Sequence, residues 1–298
     1  MTAVEMSGSG IGAVSRPRSR RQSGKGQGRV VPGFRLSLGV TLLYAALIIC
    51  LPLATLILVG ARLGPADYWA VISSPRAIAS YRVTLGAAAL ATLFNTIYGF
   101  ALAWVLVRHD FPGRRLLDAI VDLPFALPTA VAGIALTAIF ARNGWFGEPL
   151  GLLGIKVAYT QIGIALAMAF TSLPFIVRTL QPVMEELDGE IEEAARTLGA
   201  GNVTIFFRVV LPILVPALLA GVSLAFARCL GEFGAVIFIA GNQPYQTEIT
   251  ALLAFIRIEE YDYSAAAAIA TVMLGTAFIL LVVTNALQAY ARRHELTP

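Results

Sequence analysis

Long apolar runs separated by short polar connections fill most of this chain. Six of them reach the length of a membrane-crossing helix, at about residues 36–60, 82–107, 116–140, 160–181, 213–240 and 264–289. A hydrocarbon core about 30 Å thick takes around 20 apolar residues per helix, so the pattern predicts an all-α polytopic membrane protein with six transmembrane helices. One stretch breaks the pattern: Glu185 to Leu214 is a charged island between the fourth and fifth runs.

Composition agrees with the pattern. Hydrophobic residues make up 57% and charged residues 13%, with a mean hydropathy of +0.76, whereas a soluble domain carries about 25% charge. If both ends lie on one side of the membrane, that side (the N-terminal tail, 108–115, 178–211 and the C-terminal tail) holds 15 of the 22 basic residues, and the opposite loops hold six. Arg228 falls inside a span. The excess of Lys and Arg places both termini in the cytoplasm, in agreement with an even number of helices.

The first 35 residues are rich in Gly and Ser and carry Arg16, Arg18, Arg20, Arg21, Lys25, Arg29 and Arg35 against the acid Glu5. This composition predicts a disordered basic tail near anionic lipid. The run Leu36–Val59 exceeds the length of a signal-peptide core and lacks a small-residue cleavage site after it, so it reads as an uncleaved first span. No aromatic residue stands between the tail's charges from Arg16 to Arg29, which argues against nucleic-acid binding. The expected domains are the tail at 1–35, a permease domain at 36–290 and a short cytoplasmic tail at 291–298.

Catalytic chemistry has no visible seat. His109 and His294 flank predicted helix ends beside Arg108 and Arg293, where they read as helix anchors. Cys50 and Cys229 lie far apart in predicted spans without metal-ligand spacing and read as small buried residues. Gly24-Lys25 is followed by Gly26 where a phosphate-binding loop needs Ser or Thr. No catalytic residue, metal or cofactor is therefore expected in this chain, and any ATP it uses is hydrolysed by another chain.

Within the island, Asp188 is a candidate N-cap, with Glu190, Glu192 and Glu193 where the helix dipole favours negative charge. Glu192 and Arg196 have the favourable i,i+4 order, and Gly199 suits a left-handed C-terminal position. A short helix over about 189–198 follows. Asn202 is a candidate cap for a second helix, Val203 to Val210, and Pro212 for the start of the fifth span. The competing reading is an amphipathic loop resting on lipid, although interfacial helices favour Lys and Arg over the Glu-rich start found here.

The spacing Glu193-Ala194-Ala195, three residues, Gly199, nine residues, Val209, one residue, Leu211-Pro212 resembles the signature loop of binding-protein-dependent ABC importer permeases, E-A-A-x3-G-x9-I-x-L-P. Val209 replaces the usual Ile and keeps a β-branched apolar side chain. The resemblance implies a MetI-like permease fold in a bacterial inner membrane. The loop, about 185–212, would be the coupling element inserted into a cytoplasmic ATPase, with Glu193, Ala194, Ala195, Arg196, Gly199, Leu211 and Pro212 as its functional residues. It also implies a second permease subunit of the same fold, two ATPase subunits that bind ATP and Mg, and a substrate-binding protein outside the membrane. The stretches Leu123–Gly133, Asn143-Gly144-Trp145, Gly231–Ala235, Ala240-Gly241-Asn242 and Glu259–Ser264 resemble the sulfate and molybdate branch, most closely its sulfate/thiosulfate members. Molybdate or tungstate is the alternative substrate.

Three further residues are candidates for the pathway or a gate. Thr129 follows Pro128 in a span that Pro124 and Pro128 are expected to bend. Arg228 and Glu232 are four apart on a predicted helix face, about 22 Å and about 29 Å from the inner interface at 1.5 Å per residue. They read either as an outer gate or as a structural ion pair. A secondary anion transporter would instead need a midplane acid, and Asp122 is the one acid placed to enter a span from the inside.

Overall fold

The computed structural model describes residues 34–187 and 189–295, with side chains described for 36–187, 189–284 and 286. The basic tail up to residue 33, the Asp188 cap and the His294 side chain lie outside them. The described chain divides into two compact units between Leu51 and Pro52.

Among the described residues all regular structure is helical. The elements are α1 (Leu36–Ala61), α2 (Gly64–Ile72), α3 (Pro75–Arg108), α4 (Arg114–Ala126), α5 (Thr129–Phe140), α6 (Gly147–Leu152), α7 (Gln161–Glu185), α8 (Gly189–Thr197), α9 (Asn202–Leu230), α10 (Val236–Ile239), α11 (Thr250–Glu259) and α12 (Tyr263–Glu295). Five of these helices, α1, α3, α7, α9 and α12, are long and apolar enough to cross a membrane. The backbone of α12 stays helical to Glu295, beyond the expected end near 289.

The third predicted span departs most from expectation. It is two helices, α4 and α5, bent by 115°. The ring of Pro128 disfavours helical backbone at the residue before it, and Leu127 is extended, with φ −87° and ψ 134°. Pro124 sits within α4 without ending it. The N-terminal end of α4 shares a cavity with Glu185, and Phe140 and Arg142 share another with Val157 and Tyr159. The broken pair thus carries the chain between opposite ends of α7 and serves as one crossing.

The fifth span also differs. It ends at Leu230 rather than near 240, so Glu232 lies in a turn before the short α10. Its start is earlier than expected, because Asn202 to Val210 runs into it without a break. Leu-Pro shapes that junction. Proline at 212 lacks an N–H and crowds the carbonyl four residues back; the backbone answers with a π-helical turn at Phe206–Val210, in which the Leu211 N–H reaches the Phe206 carbonyl. Leu51-Pro52 in α1 is preceded by the same device at Ala46–Cys50.

α7 packs along both α3 and α9 and is the central helix of the larger unit. One core layer joins Ala87, Ala88, Ala91, Ile164, Met168, Cys229 and Ile239. A second joins Leu102, Leu106, Ile176, Leu180, Ile205 and Leu214. Between them, buried Asn95 donates to the Ala169 carbonyl and to Ser172 Oγ at 2.8 and 2.9 Å, and Cys229 Sγ approaches Ser172 Oγ at 3.3 Å. Cys229 is buried as expected, whereas Cys50 is exposed.

Small residues set the closest approaches. A Cβ on Gly221 would stand 3.1 Å from Ile176 Cα, and one on Gly133 would stand 2.3 Å from the Ala235 carbonyl oxygen. Gly86 and Gly275 have open space and do not share this role. Gly133→Ala should therefore destabilise the purified protein by about 1–3 kcal/mol, while Gly86→Ala stays within about 0.5 kcal/mol. Thermal unfolding in detergent measures both, and equal effects would remove the close approach as the cause.

Candidate functional site: the charged loop and the polar ends of the bundle

The charged island folds as expected at its N-terminal arm. α8 carries Glu190 and Glu192 in its first turn and Arg196 in its last. The chain then turns at Gly199, whose φ of +84° is a left-handed conformation natural to glycine. The Gly199 N–H donates to the Arg196 carbonyl and the Ala200 N–H to that of Ala195, at 2.9 and 3.1 Å. The second arm does not start from an Asn202 cap. Gly201 occupies the N-cap, no side chain caps the helix, and Asn202 is its first residue.

The helix has two unlike faces. Glu192, Ala195 and, beyond the turn, Ala200 face the bundle, with both alanines packed on the second core layer. Glu193, Ala194, Arg196, Thr197 and Leu198 are exposed. Leu198 is 88% exposed. Leu211 is half-buried and Pro212 exposed at the π-turn. Glu193 and Ala194 thus share an outward face with Leu198, while Ala195 and Gly199 shape the mount behind it.

Sequence spacing missed the partner of Glu192. Arg196 Nη2 stands 3.9 Å from Glu192, but Arg108 Nη2 lies 2.6 Å from Glu192 Oε1. The Arg108 guanidinium is also 5.2 Å from the centroid of the Trp104 ring. Trp104 in turn meets Phe206 edge-on at 5.4 Å. An unpaired Arg at a helix end and an isolated Trp four residues before it were the signals available in sequence.

A second cluster at the same end of the bundle uses Arg178 of α7. Its Nε and Nη2 donate to the two carboxylate oxygens of Asp122 at 2.7 and 2.6 Å, and Nη1 donates to Asp118 at 2.7 Å. This planar fork, which suits a guanidinium better than an ammonium, ties α4 to α7. It borders a cavity of about 1020 Å³ lined by Asp110–Arg115, Gln181 and Glu185. Asp122 is therefore committed to an arginine.

At the opposite end, Arg76 grips the buried Glu248 through Nε and Nη2 at 2.8 and 2.6 Å. Ser80, Thr84 and Thr250 form a buried hydroxyl cluster next to it. Pairs that join loops of one predicted side, Arg108–Glu192 and Arg178–Asp118, thus collect at one end, and Arg76–Glu248 joins loops of the other.

The pathway candidates come together in part. Arg228 Nη1 approaches Glu232 Oε2 at 2.6 Å as a charge contact, and the Ala235 N–H donates to Glu232 Oε1 at 3.0 Å. The pairing matches the sequence reading, but its geometry does not: Glu232 stands in the turn that caps α10, not on the helix face. Arg228 is 31% exposed and Glu232 only 1%. Thr129 begins α5 against Gly234, where an added Cβ would lie 2.1 Å from Thr129 Oγ1. The stretches around Thr129–Gly133 and Gly231–Ala235 therefore form one packed junction, with Arg228 beside it.

Comparison with known proteins adds to this geometry. Residues 95–294 match the family model described as "Binding-protein-dependent transport system inner membrane component". Over 266 residues the chain is 56% identical to the sulfate transport system permease protein CysT of Escherichia coli, covering 89% of this chain and 96% of the relative. The corresponding protein of Synechocystis is 47% identical over 86% of this chain and 89% of its own length. A bacterial alginate ABC transporter solved with its pentasaccharide-bound periplasmic protein has a similar chain, with a TM-score of 0.72, 17% identity and coverage of 89% and 95%. At that identity the likeness concerns the fold.

Removing Glu232 tests the junction. Glu232→Ala strands Arg228 and frees the Ala235 N–H, and should cost about 3 kcal/mol or more of stability; Glu232→Gln keeps an acceptor for that N–H and should cost less. Equal melting temperatures for the two variants would rule out the capping role.

Proposed function

This chain belongs to the family of binding-protein-dependent transport system inner membrane components, and we propose that it is the permease subunit of an ATP-driven sulfate/thiosulfate importer. The observation that carries this reading is 56% identity over nearly the whole length of a sulfate permease. Identity at that level over 266 residues supports shared packing as well as shared short motifs.

The geometry supports the division of labour that the proposal needs. The chain supplies a pathway and a handle, and a separate ATPase supplies hydrolysis with ATP and Mg. α8 is the handle: Glu193 offers a carboxylate to basic or polar groups of the ATPase, Ala194 permits close approach, and Leu198 buries on docking. The nearby π-turn at Leu211-Pro212 leads directly into α9, so displacement of the handle is applied to a spanning helix. Rigid-body movement of two permease subunits under two ATPases then alternates access to the pathway.

The partners in this reading are a second permease of the same fold, two cytoplasmic ATPase subunits and a sulfate-binding protein outside the membrane. Both termini lie in the cytoplasm of a bacterial cell, on the side of the loops rich in Arg and Lys. Thr129, Arg228 and Glu232 border the pathway. The accessible Arg228 guanidinium attracts an oxyanion, while the buried Glu232 keeps the attraction weak enough for release. A proton-coupled carrier would need a midplane acid without a counter-charge, and the pairing of Asp122 with Arg178 speaks against that mechanism.

Radiolabelled sulfate uptake in cells lacking this chain tests the proposal. Restored uptake that thiosulfate inhibits, and that resists a proton uncoupler while ATP is maintained, is the expected result. Uptake abolished by the uncoupler alone would overturn it. In the same assay Gly199→Asp should abolish uptake with the subunit still inserted, because a β-carbon at φ +84° displaces the handle.

A further inference from the structure

Coupling requires the handle to be fixed to the bundle as well as to the ATPase, and the apolar hold of α8 on the bundle is small. None of its residues is fully buried. Its apolar contact with the core is a single alanine, Ala195, and burial of one methyl-sized group contributes under about 1 kcal/mol. Glycines bracket it at Gly189, Gly199 and Gly201, each with open space around it. A helix so mounted pivots at both ends unless something holds its middle.

One stripe of α3 does so. Phe100, Trp104 and Arg108 are spaced i, i+4, i+8 and point to one face at the cytoplasmic end of that helix. Arg108 takes Glu192 in the middle of α8 at 2.6 Å, in a site where the two side chains are only 24% and 14% exposed. Trp104 and Phe100 take Phe206 in the second arm, with ring centroids 5.4 and 6.1 Å apart and nearly perpendicular planes. The Arg108 guanidinium over the Trp104 ring joins the two contacts. Both arms of the loop therefore rest on the same two turns of α3.

We propose that Arg108 and Trp104 are positioning residues, the fixed mount through which movement of α8 is delivered to α3 as well as to α9. The inference rests on the permease reading above. On this account the charge pair restrains α8 and the aromatic block restrains the arm after it. Loss of the pair leaves the ATPase able to move α8 without moving the bundle. Both residues lie behind α8, away from the outward face that carries Glu193 and Ala194.

The test uses the assembled transporter, full-length and reconstituted in lipid with its partner subunits. Amide hydrogen exchange across residues 190–201 should quicken about tenfold in Arg108→Gln, with α7 unchanged. ATP hydrolysed per sulfate imported should rise about tenfold in the same variant. The exchanged pair, Arg108→Glu with Glu192→Arg, should restore both measures relative to Arg108→Glu alone. Unchanged exchange in Arg108→Gln, or an exchanged pair no better than the single variant, overturns the proposal. Should Arg108→Glu fail to assemble, Glu192→Gln supplies the same measurement, and wild-type exchange rates in it are equally decisive against the mount. Exchange is read without substrate, so a wild-type chain that fails to import sulfate sinks the substrate reading and leaves this result standing.

Discussion

A charge placed in or beside hydrocarbon has to find its counter-charge inside the protein, because lipid offers no water to replace it. Four arginines of this chain obey that constraint, and the architecture follows from how they do so. Arg76 holds Glu248, Arg108 holds Glu192, Arg178 holds Asp118 and Asp122, and Arg228 holds Glu232. Three of these link elements distant in sequence. Together they fasten α4 to α7, the charged loop to α3, and the start of α3 to the segment before α11. The pairs work less as a source of net stability than as a specification of which ends meet, since the desolvation of a buried pair offsets much of its attraction.

Between the charged ends, the bundle is held by close approach. Gly99 and Gly221 bring α3 and α9 against the same residue of α7, Ile176, from two sides. Within a bilayer, burial of apolar surface does not drive helices together as it does in water, so van der Waals contact between small residues carries more of the association. That makes α7 a stiff centre. The broken pair α4–α5 is attached to this centre through Arg178 at one end and through α10 and its capping Glu232 at the other.

This arrangement separates a rigid part from a lightly mounted one. The exposed face of α8 carries Glu193 and Ala194, and its inner face is held by a half-buried ion pair and one alanine. A handle of this kind transmits displacement well only if its mount is stiffer than the surface it grips. The aromatic block at Trp104, continuous with the second core layer, supplies that stiffness at the point where the π-turn leads into α9. On the proposed reading, the same stretch of sequence serves docking on one side and load transfer on the other.

The presence and approximate place of the membrane-length helices were written in the apolar runs, and the short helix over 189–198 in its acidic start and Gly199, because these depend on local periodicity, capping and dihedral preference. The signature spacing from Glu193 to Pro212 was legible for the same reason. What the sequence by itself could not give was the partner of any charge that pairs across the fold. Glu192 has Arg196 at ideal helical spacing, yet tertiary packing brings Arg108 closer; Arg228 and Glu232 pair as spacing suggests, but across a helix end. The 115° break at Leu127-Pro128 was signalled by proline, whereas its angle depends on Gly133 and Gly234 letting α5 settle against the turn before α10. Local sequence determined which segments are helical; only the folded chain decided where the fifth span stops and which ends meet, because those choices are made by contacts between residues far apart along it.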